Sequence, residues 1–343
     1  MLDLLNYSLL NNNTFGIDET CRRYIQFDTT EELHQVLASL TPEDQPLLII
    51  GGGSNLLLTG PFEGTVLRSN ILGIEILEHA DDDEFIFVRC GSGVVWDDFV
   101  EFCVTNNLYG AENLSIIPGD VGASAVQNIG AYGAEAKDII FKIEALEIAT
   151  GNSVTFANAD CQYGYRQSRF KKEWKDKYII THVTYCLQKS FTLHADYGNI
   201  RSELEKRGIS NPTARDVRNV IIDIRNAKLP DPKLEGNAGS FFMNPIIPRE
   251  QFNALLEAYP QMPHYYVDAE KEKVPAGWLI DQCGWKGKTL GKAGVHKNQA
   301  LVLVNRGGAK GNDIVTLCRA IQNDVKEKFG IEIKPEVNFR PTP

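Results

Sequence analysis

With 343 residues, 43 % apolar and 23 % charged, the chain can fill two or three ordinary cores, which excludes a disordered, collagenous or minimal disulfide-stapled class. Its formal net charge of −10 excludes a general nucleic-acid or anionic-membrane surface, since both depend on surplus Lys and Arg, but a few local cations would still serve a phosphorylated small substrate. Seven scattered cysteines, without a Cys-x-x-Cys pair, read as buried free thiols, and neither they nor the six dispersed histidines form a metal motif.

The N-terminal MLDLLNYSLL lacks a basic flank and a small-residue cleavage site, and no apolar run reaches bilayer length, so a cytoplasmic chain is expected. The first predicted helix covers residues 31–40, with Thr30 as N-cap and Pro42 beyond its end. A short apolar strand, 47–50, then runs straight into Gly51-Gly52-Gly53-Ser54-Asn55. Three glycines followed by a hydroxyl and an amide suit a phosphate or ribityl cradle of backbone donors, although a plain turn fits the same residues. The Rossmann fingerprint is excluded because Leu56 stands at its third glycine, and a P-loop because its Lys is missing.

Residues 85–93 read as a strand and glycine turn, and 96–104 as a helix with Asp97 and Asp98 favouring its N-terminus. The next stretch, 114–133, is LSIIPGDVGASAVQNIGAYG. A strand-like Ile116-Ile117 meets Pro118, after which Gly119, Gly122, Gly130 and Gly133 alternate with small residues and the amides of Gln127 and Asn128. Glycine permits positive φ and close backbone approach, so the run either aims N–H groups at a bulky anion such as a pyrophosphate or makes a tight packing turn. Two such runs about seventy residues apart suit one long, two-ended ligand.

Residues 143–149 and 154–156 form a predicted hairpin around Gly151-Asn152, and 178–187 alternates as a half-buried strand. A polar connection, 191–215, contains Tyr197-Gly198-Asn199. The helix after it opens on a Thr213/Asp216 capping box, carries Val217, Val220, Ile221 and Ile224 as its stripe, and stops at Pro230. Lys228, in its last turn, compensates the helix dipole or serves a ligand. In 236–245, small residues deliver Ser240 to the head of an apolar strand, without a Gly-x-Ser-x-Gly elbow. A short helix around Phe252, a strand at 300–304, a helix capped by Asn312 and closed by Gly330, and a terminal strand bearing Glu336 complete the chain.

Taken in order, GGGSN at Gly51, PGDVGASAVQNIGAYG at Pro118, YGYRQSRF at Tyr163, KLPDP at Lys228, GNAGSFFMNP at Gly236, AGWLID at Ala276, HKNQALVLVN at His296 and PEVNFR at Pro335 resemble the UDP-N-acetylenolpyruvoylglucosamine reductase family. The loop at Tyr197 is similar to that of the branch with a substrate-covering tyrosine. The resemblance implies an α+β fold, with an FAD-binding domain of the vanillyl-alcohol-oxidase/p-cresol-methylhydroxylase type and a C-terminal α+β substrate-binding domain. It divides the chain into 1–75, completed by 330–343, as a first FAD-binding subdomain, 76–229 as a second one with the tyrosine loop, and 230–329 as the substrate domain.

The resemblance further implies non-covalent FAD on Gly51, Gly52, Gly53, Ser54, Asn55, Pro118, Gly119, Val121, Gly122, Ala123, Ser124, Gln127, Asn128, Gly130, Tyr132 and Gly133, with NADPH as co-substrate and no metal. Ser240 would be the proton donor, with Arg166 and Glu336 stabilising the substrate carboxylate. Tyr165, Tyr197, Lys228, Asn244 and Gln299 would bind UDP-N-acetylglucosamine enolpyruvate. The implied role is peptidoglycan-precursor synthesis by a monomer, with no nucleic-acid or membrane partner. An FAD-dependent carbohydrate oxidase is the alternative. Two positions depart from the family pattern: Met243 stands where many members carry Lys or Arg, and Asp120 where small neutral residues are common, so the Asp120 side chain is expected to point away from the cofactor phosphates.

Overall fold

The computed structural model describes residues 1–77 and 84–342. They fall into two compact units. The first comprises Met1–Tyr7, Cys21–Gly52 and Glu63–Ala227, and the second Ser8–Thr20, Gly53–Phe62 and Lys228–Pro343.

The first unit holds two sheets. In one, Leu2–Ser8, Thr20–Phe27, Phe62–Ser69 and Leu47–Ile50 lie in that order, the last two parallel. Helix α1 (Thr30–Ser39) packs Leu33 and Val36 among Ile25, Phe27 and Leu67. Its cap is Thr29 rather than Thr30, because only Thr29 is extended and positioned for its hydroxyl to accept the Glu32 N–H at 3.1 Å. The other sheet orders Ser153–Ala157, Ile140–Glu147, Tyr178–Gln188, Phe85–Gly91 and Ile74–Leu77, all antiparallel. The predicted inward set of its central strand, Ile179, Thr181, Val183, Tyr185 and Leu187, is buried. Ile180 and Thr184 are buried as well, so this strand is covered on both faces rather than one.

Helix α2 (Trp96–Thr105) buries Trp96, Phe99, Val100 and Cys103 against Tyr185, and the Trp96 indole N–H donates to the Leu114 carbonyl at 2.8 Å. Helix α3 (Val121–Gln127) lies in the same core. Helix α4 (Ile200–Lys206) interrupts what the sequence presents as a polar connection. Ile200 and Leu204 are its buried apolar residues, too few for a visible period, and they find their partners in Val217, Val220 and Ile221 of α5 (Ala214–Lys228). The predicted box closes α5: Thr213 donates its N–H and hydroxyl to Asp216 Oδ2 at 2.9 and 2.6 Å and accepts the Asp216 N–H at 3.2 Å.

Arg218 ties α5 to α2. It is 5 % exposed, forks onto both Asp97 carboxylate oxygens at 2.7 and 2.9 Å, and gives its Nε–H to Glu101 at 2.7 Å. Removing one partner of a fully buried ion pair costs about 3–5 kcal/mol. Asp97 and Glu101 keep water contact, so Arg218→Ala is expected to lose about 2 kcal/mol, read as a lowered denaturant midpoint. A loss below about 0.5 kcal/mol would show that the network is merely a solvated surface cluster.

In the second unit a four-stranded sheet orders Asn237–Ser240, Val302–Asn305, Ala293–Val295 and Thr289–Leu290. A smaller sheet joins Ile246–Pro248, Lys271–Lys273 and Tyr265–Asp268, and Asn338–Arg340 pairs in parallel with Leu56–Leu58. Its helices are α6 (Arg249–Ala258), α7 (Ala276–Gln282) and α8 (Gly311–Phe329). Helix α8 buries Ile314, Leu317, Cys318, Ile321 and Val325 as its spacing predicts, and Gly330 closes it at φ +66°. Asn312 is not its cap. The helix begins one residue earlier, where the Lys310 N–H donates to the Asp313 carboxylate at 2.8 Å and a Cβ on Gly311 would fall 1.9 Å from the Leu58 carbonyl oxygen. The seven cysteines are free thiols. Among the described residues no helix is long and apolar enough to cross a membrane.

Candidate active site

In the first unit the two glycine runs face each other. A Cβ on Gly51 would stand 3.1 Å from Asp120 Oδ2, and one on Gly52 would stand 3.2 Å from Asp120 Oδ1 and 3.5 Å from the Gly119 Cα. Bare main chain is what allows this approach. Residues 116–117, expected as a strand, form none: Ile116 has φ +49° and its N–H donates to Asp97 Oδ1 at 2.6 Å, which turns the chain instead. Beyond it the glycine run becomes α3, ended by Asn128 in the left-handed conformation. The N–H groups of Val121, Gly122 and Ser124 donate to Val94, Ser92 and Asp120 carbonyls, so they serve the fold and narrow what the run can offer an anion. A Cβ on Gly122 would lie 2.8 Å from the Ser92 Cβ, which makes glycine a packing requirement there.

The rest of that run holds the polar residues in place. Asn128, fully buried, gives its amide to Glu135 and to the Gly164 carbonyl at 3.1 and 2.8 Å and accepts the Lys137 N–H at 3.1 Å. Ser124 donates to the Val121 carbonyl and Gln127 accepts from Lys171, both at 2.7 Å. Arg166, at φ +55° in the tight turn 164–167, lays its guanidinium against the Gly130 and Asn128 carbonyls at 2.8 and 3.5 Å, beside the half-exposed Tyr165 ring. Tyr197 backs onto the run, because a Cβ on Gly133 would meet the Tyr197 Cβ at 3.2 Å and one on Gly198 the Tyr132 ring at 3.5 Å. Asn113 secures both segments by donating to the carbonyls of Tyr132 and His194 at 3.0 and 2.9 Å.

Arg225 is a residue that sequence reasoning passed over. It lies on α5 near Tyr132 and Arg166, and its Nε is buried with no acceptor among the described residues. Burial holds its guanidinium below the usual arginine range; the Tyr132 charge opposes the shift and Arg166 adds to it. The available signal was its spacing, seven residues after Arg218 on one helix face.

In the second unit Ser240 ends its strand opposite Val302, exposed, with Phe241 and Phe242 buried behind it. The Glu336 N–H donates to the Phe241 carbonyl at 2.8 Å, and Phe242 bridges Pro335, so hydroxyl and carboxyl groups sit on adjoining backbone. Asn55 joins the same strip: its amide reaches the Glu336 carbonyl at 3.4 Å, and its own carbonyl accepts the Asn338 N–H at 3.1 Å. Gly53 accepts the Thr14 N–H at 3.2 Å, while Thr14 accepts the Asn237 N–H at 2.9 Å. The segment around Asn12-Asn13-Thr14, which carried no reading in the sequence, thus braces both the first glycine run and the serine strand. Asn244 Oδ1 accepts the Ala276 N–H at 2.9 Å, and Gln299 Oε1 lies 3.3 Å from where a Gly277 Cβ would stand, which places both amides at the first turn of α7. Met243 is held by its N–H to the Lys334 carbonyl at 3.0 Å, and Lys228 is exposed as the last residue of α5.

A UDP-N-acetylenolpyruvoylglucosamine reductase of Bacteroides fragilis (strain YCH46) is 55 % identical over 333 residues, spanning 97 % of this chain and 98 % of its own. The chain belongs to the UDP-N-acetylenolpyruvoylglucosamine reductase family. The family member from Flavobacterium johnsoniae is 48 % identical over 97 % of this chain and 98 % of its own. Residues 21–157 match the model of an FAD binding domain, and 231–340 that of the UDP-N-acetylenolpyruvoylglucosamine reductase C-terminal domain. The crystal structure of the Thermus caldophilus reductase covers 98 % of both chains with a TM-score of 0.66 at 21 % identity, which supports the shared fold. This reductase-family chain is therefore an α+β oxidoreductase, with an FAD-binding domain of the vanillyl-alcohol-oxidase type followed by the family's C-terminal domain. At Gly51, Gly52 and Gly119 the two runs meet as bare main chain beside the Asp120 carboxyl, the kind of backbone that would hold the diphosphate of FAD. Arg166, Tyr197 and Arg225 lie between the two matched segments of this reductase.

Proposed function

We propose that the chain reduces UDP-N-acetylglucosamine enolpyruvate to UDP-N-acetylmuramate with NADPH, a cytoplasmic step of peptidoglycan-precursor synthesis carried out by a monomer. The observation that carries this reading is the adjoining backbone of Ser240 and Glu336, a hydroxyl and a carboxyl from residues far apart in sequence. FAD, held non-covalently by the glycine runs, supplies hydride transfer from NADPH to the terminal vinyl carbon.

Hydride addition leaves negative charge on the carbon next to the substrate carboxylate. Ser240 gives its Oγ proton to that carbon and recovers one from solvent. Arg166 holds the carboxylate in two-point contact through its rigid fork, and Glu336 shares in polarising it. Lys228 acts as a point charge for the diphosphate, Tyr197 covers the uridine side, and Tyr165, Asn244 and Gln299 complete the substrate contacts. Met243 adds no cation for the nicotinamide nucleotide.

Anaerobic mixing tests the reading. NADPH should bleach the flavin, and the enolpyruvyl substrate should restore its colour without oxygen. Colour restored only by air would favour the carbohydrate oxidase.

A further inference from the structure

Asp120 is 5 % exposed, and its Oδ2 has no hydrogen-bond partner among the described residues. It stands at the N-cap of α3 with extended backbone, where aspartate ordinarily accepts a first-turn N–H, yet its side chain makes no such bond. It turns instead to the opposite glycine run, where both carboxyl oxygens lie against Gly51 and Gly52. Those two glycines and Ala123 bring no titratable group toward it. The charge acting on it comes from Arg68, on the Phe62–Ser69 strand. Burial outweighs Arg68 and pushes the carboxyl up to about 6. An ionised carboxylate here has one oxygen with neither water nor a bonded partner, and a diphosphate in the same cradle would add like charge beside it.

We propose that the diphosphate of FAD occupies the cradle with Asp120 protonated, so that FAD binding to the ionised form of the free protein takes up one proton. The proposal rests on the glycine runs being that cradle. Asp120 is then the residue that makes cofactor retention sensitive to pH. Below its pKa in the FAD-free protein the carboxyl is already neutral, and binding takes up no proton. Above that value, and up to the higher value of the loaded protein, affinity falls about tenfold per pH unit.

The test is the dissociation constant of the holoprotein, read from the flavin fluorescence released on dilution between about pH 5.5 and pH 8.5. Wild type is expected to bind FAD at least about tenfold more weakly at pH 8 than at pH 6. Asp120→Asn should show a flat profile and hold FAD more tightly than wild type at pH 8. Parallel profiles for the two proteins overturn the proposal. So does a flat wild-type profile, which needs no variant to fold. Gly52→Ala separates the two readings: if filling the cradle leaves the dissociation constant unchanged, the cradle itself is misplaced and the proposal falls with it. If that change weakens binding while the Asp120→Asn profile parallels wild type, only the proton linkage is overturned.

Discussion

Ser240→Ala is expected to retain flavin reduction by NADPH while turnover of the enolpyruvyl substrate slows by about 10²–10⁴-fold, the contribution of a positioned general acid. The substitution removes one oxygen from an exposed residue at a strand end. The surrounding fold does not depend on that oxygen, because the Phe241 N–H bonds to Leu301 and the Phe241 and Phe242 rings are buried on their own account. Thermal stability should therefore change by no more than about 0.5 kcal/mol, and the loss would be chemical rather than structural. Stopped-flow spectroscopy follows the two half-reactions separately. If both run at wild-type rates, the proton comes from another group.

The largest stability effect is expected at Gly53. Its φ of +65° already disfavours any residue with a Cβ, and that atom would lie 2.0 Å from the Asn12 carbonyl oxygen, 2.7 Å from its carbon and 2.8 Å from the Asn13 Cα. All three are backbone atoms, so no side chain can swing aside. Gly53→Ala should cost at least about 3 kcal/mol, the sum of left-handed strain and an overpacked contact. Gly16→Ala is the matched control: φ is +63°, nothing lies within 4 Å, and about 1 kcal/mol is expected. Thermal denaturation of the two variants compares them directly. Equal losses would mean that the segment around Asn12 shifts freely to make room.

Elements whose identity rests on neighbouring residues were legible. Thr213 and Asp216 announce α5, Gly330 stops α8, and Gly151-Asn152 turns a hairpin, because caps and tight turns are local chemistry. Helix α3 was hidden, since glycine and alanine show no apolar stripe, and α4 was hidden because its two buried residues acquire meaning only against α5. The site divides along the same line. Residue types and their order were enough to select Ser240, Glu336, Asn244 and Gln299 through a resemblance of eight motifs. No local pattern could show that Glu336 is hydrogen-bonded beside Ser240, or that Asn244 and Gln299 meet at one helix end.

The sequence by itself determined that this is a member of a flavin-dependent reductase family, where two glycine runs lie, and which helices begin and end on their own signals. Only the tertiary structure decided that the N–H groups of Val121 and Gly122 are used within the fold, that the half-buried Arg225 lies near Arg166 with its Nε out of water, and that the Asp120 carboxyl faces Gly51 and Gly52 with its Oδ2 lacking a bonded partner. The physical reason is that burial and hydrogen-bond satisfaction belong to pairs of groups brought together from distant parts of the chain. Caps, turns and glycine's freedom belong to a few consecutive residues.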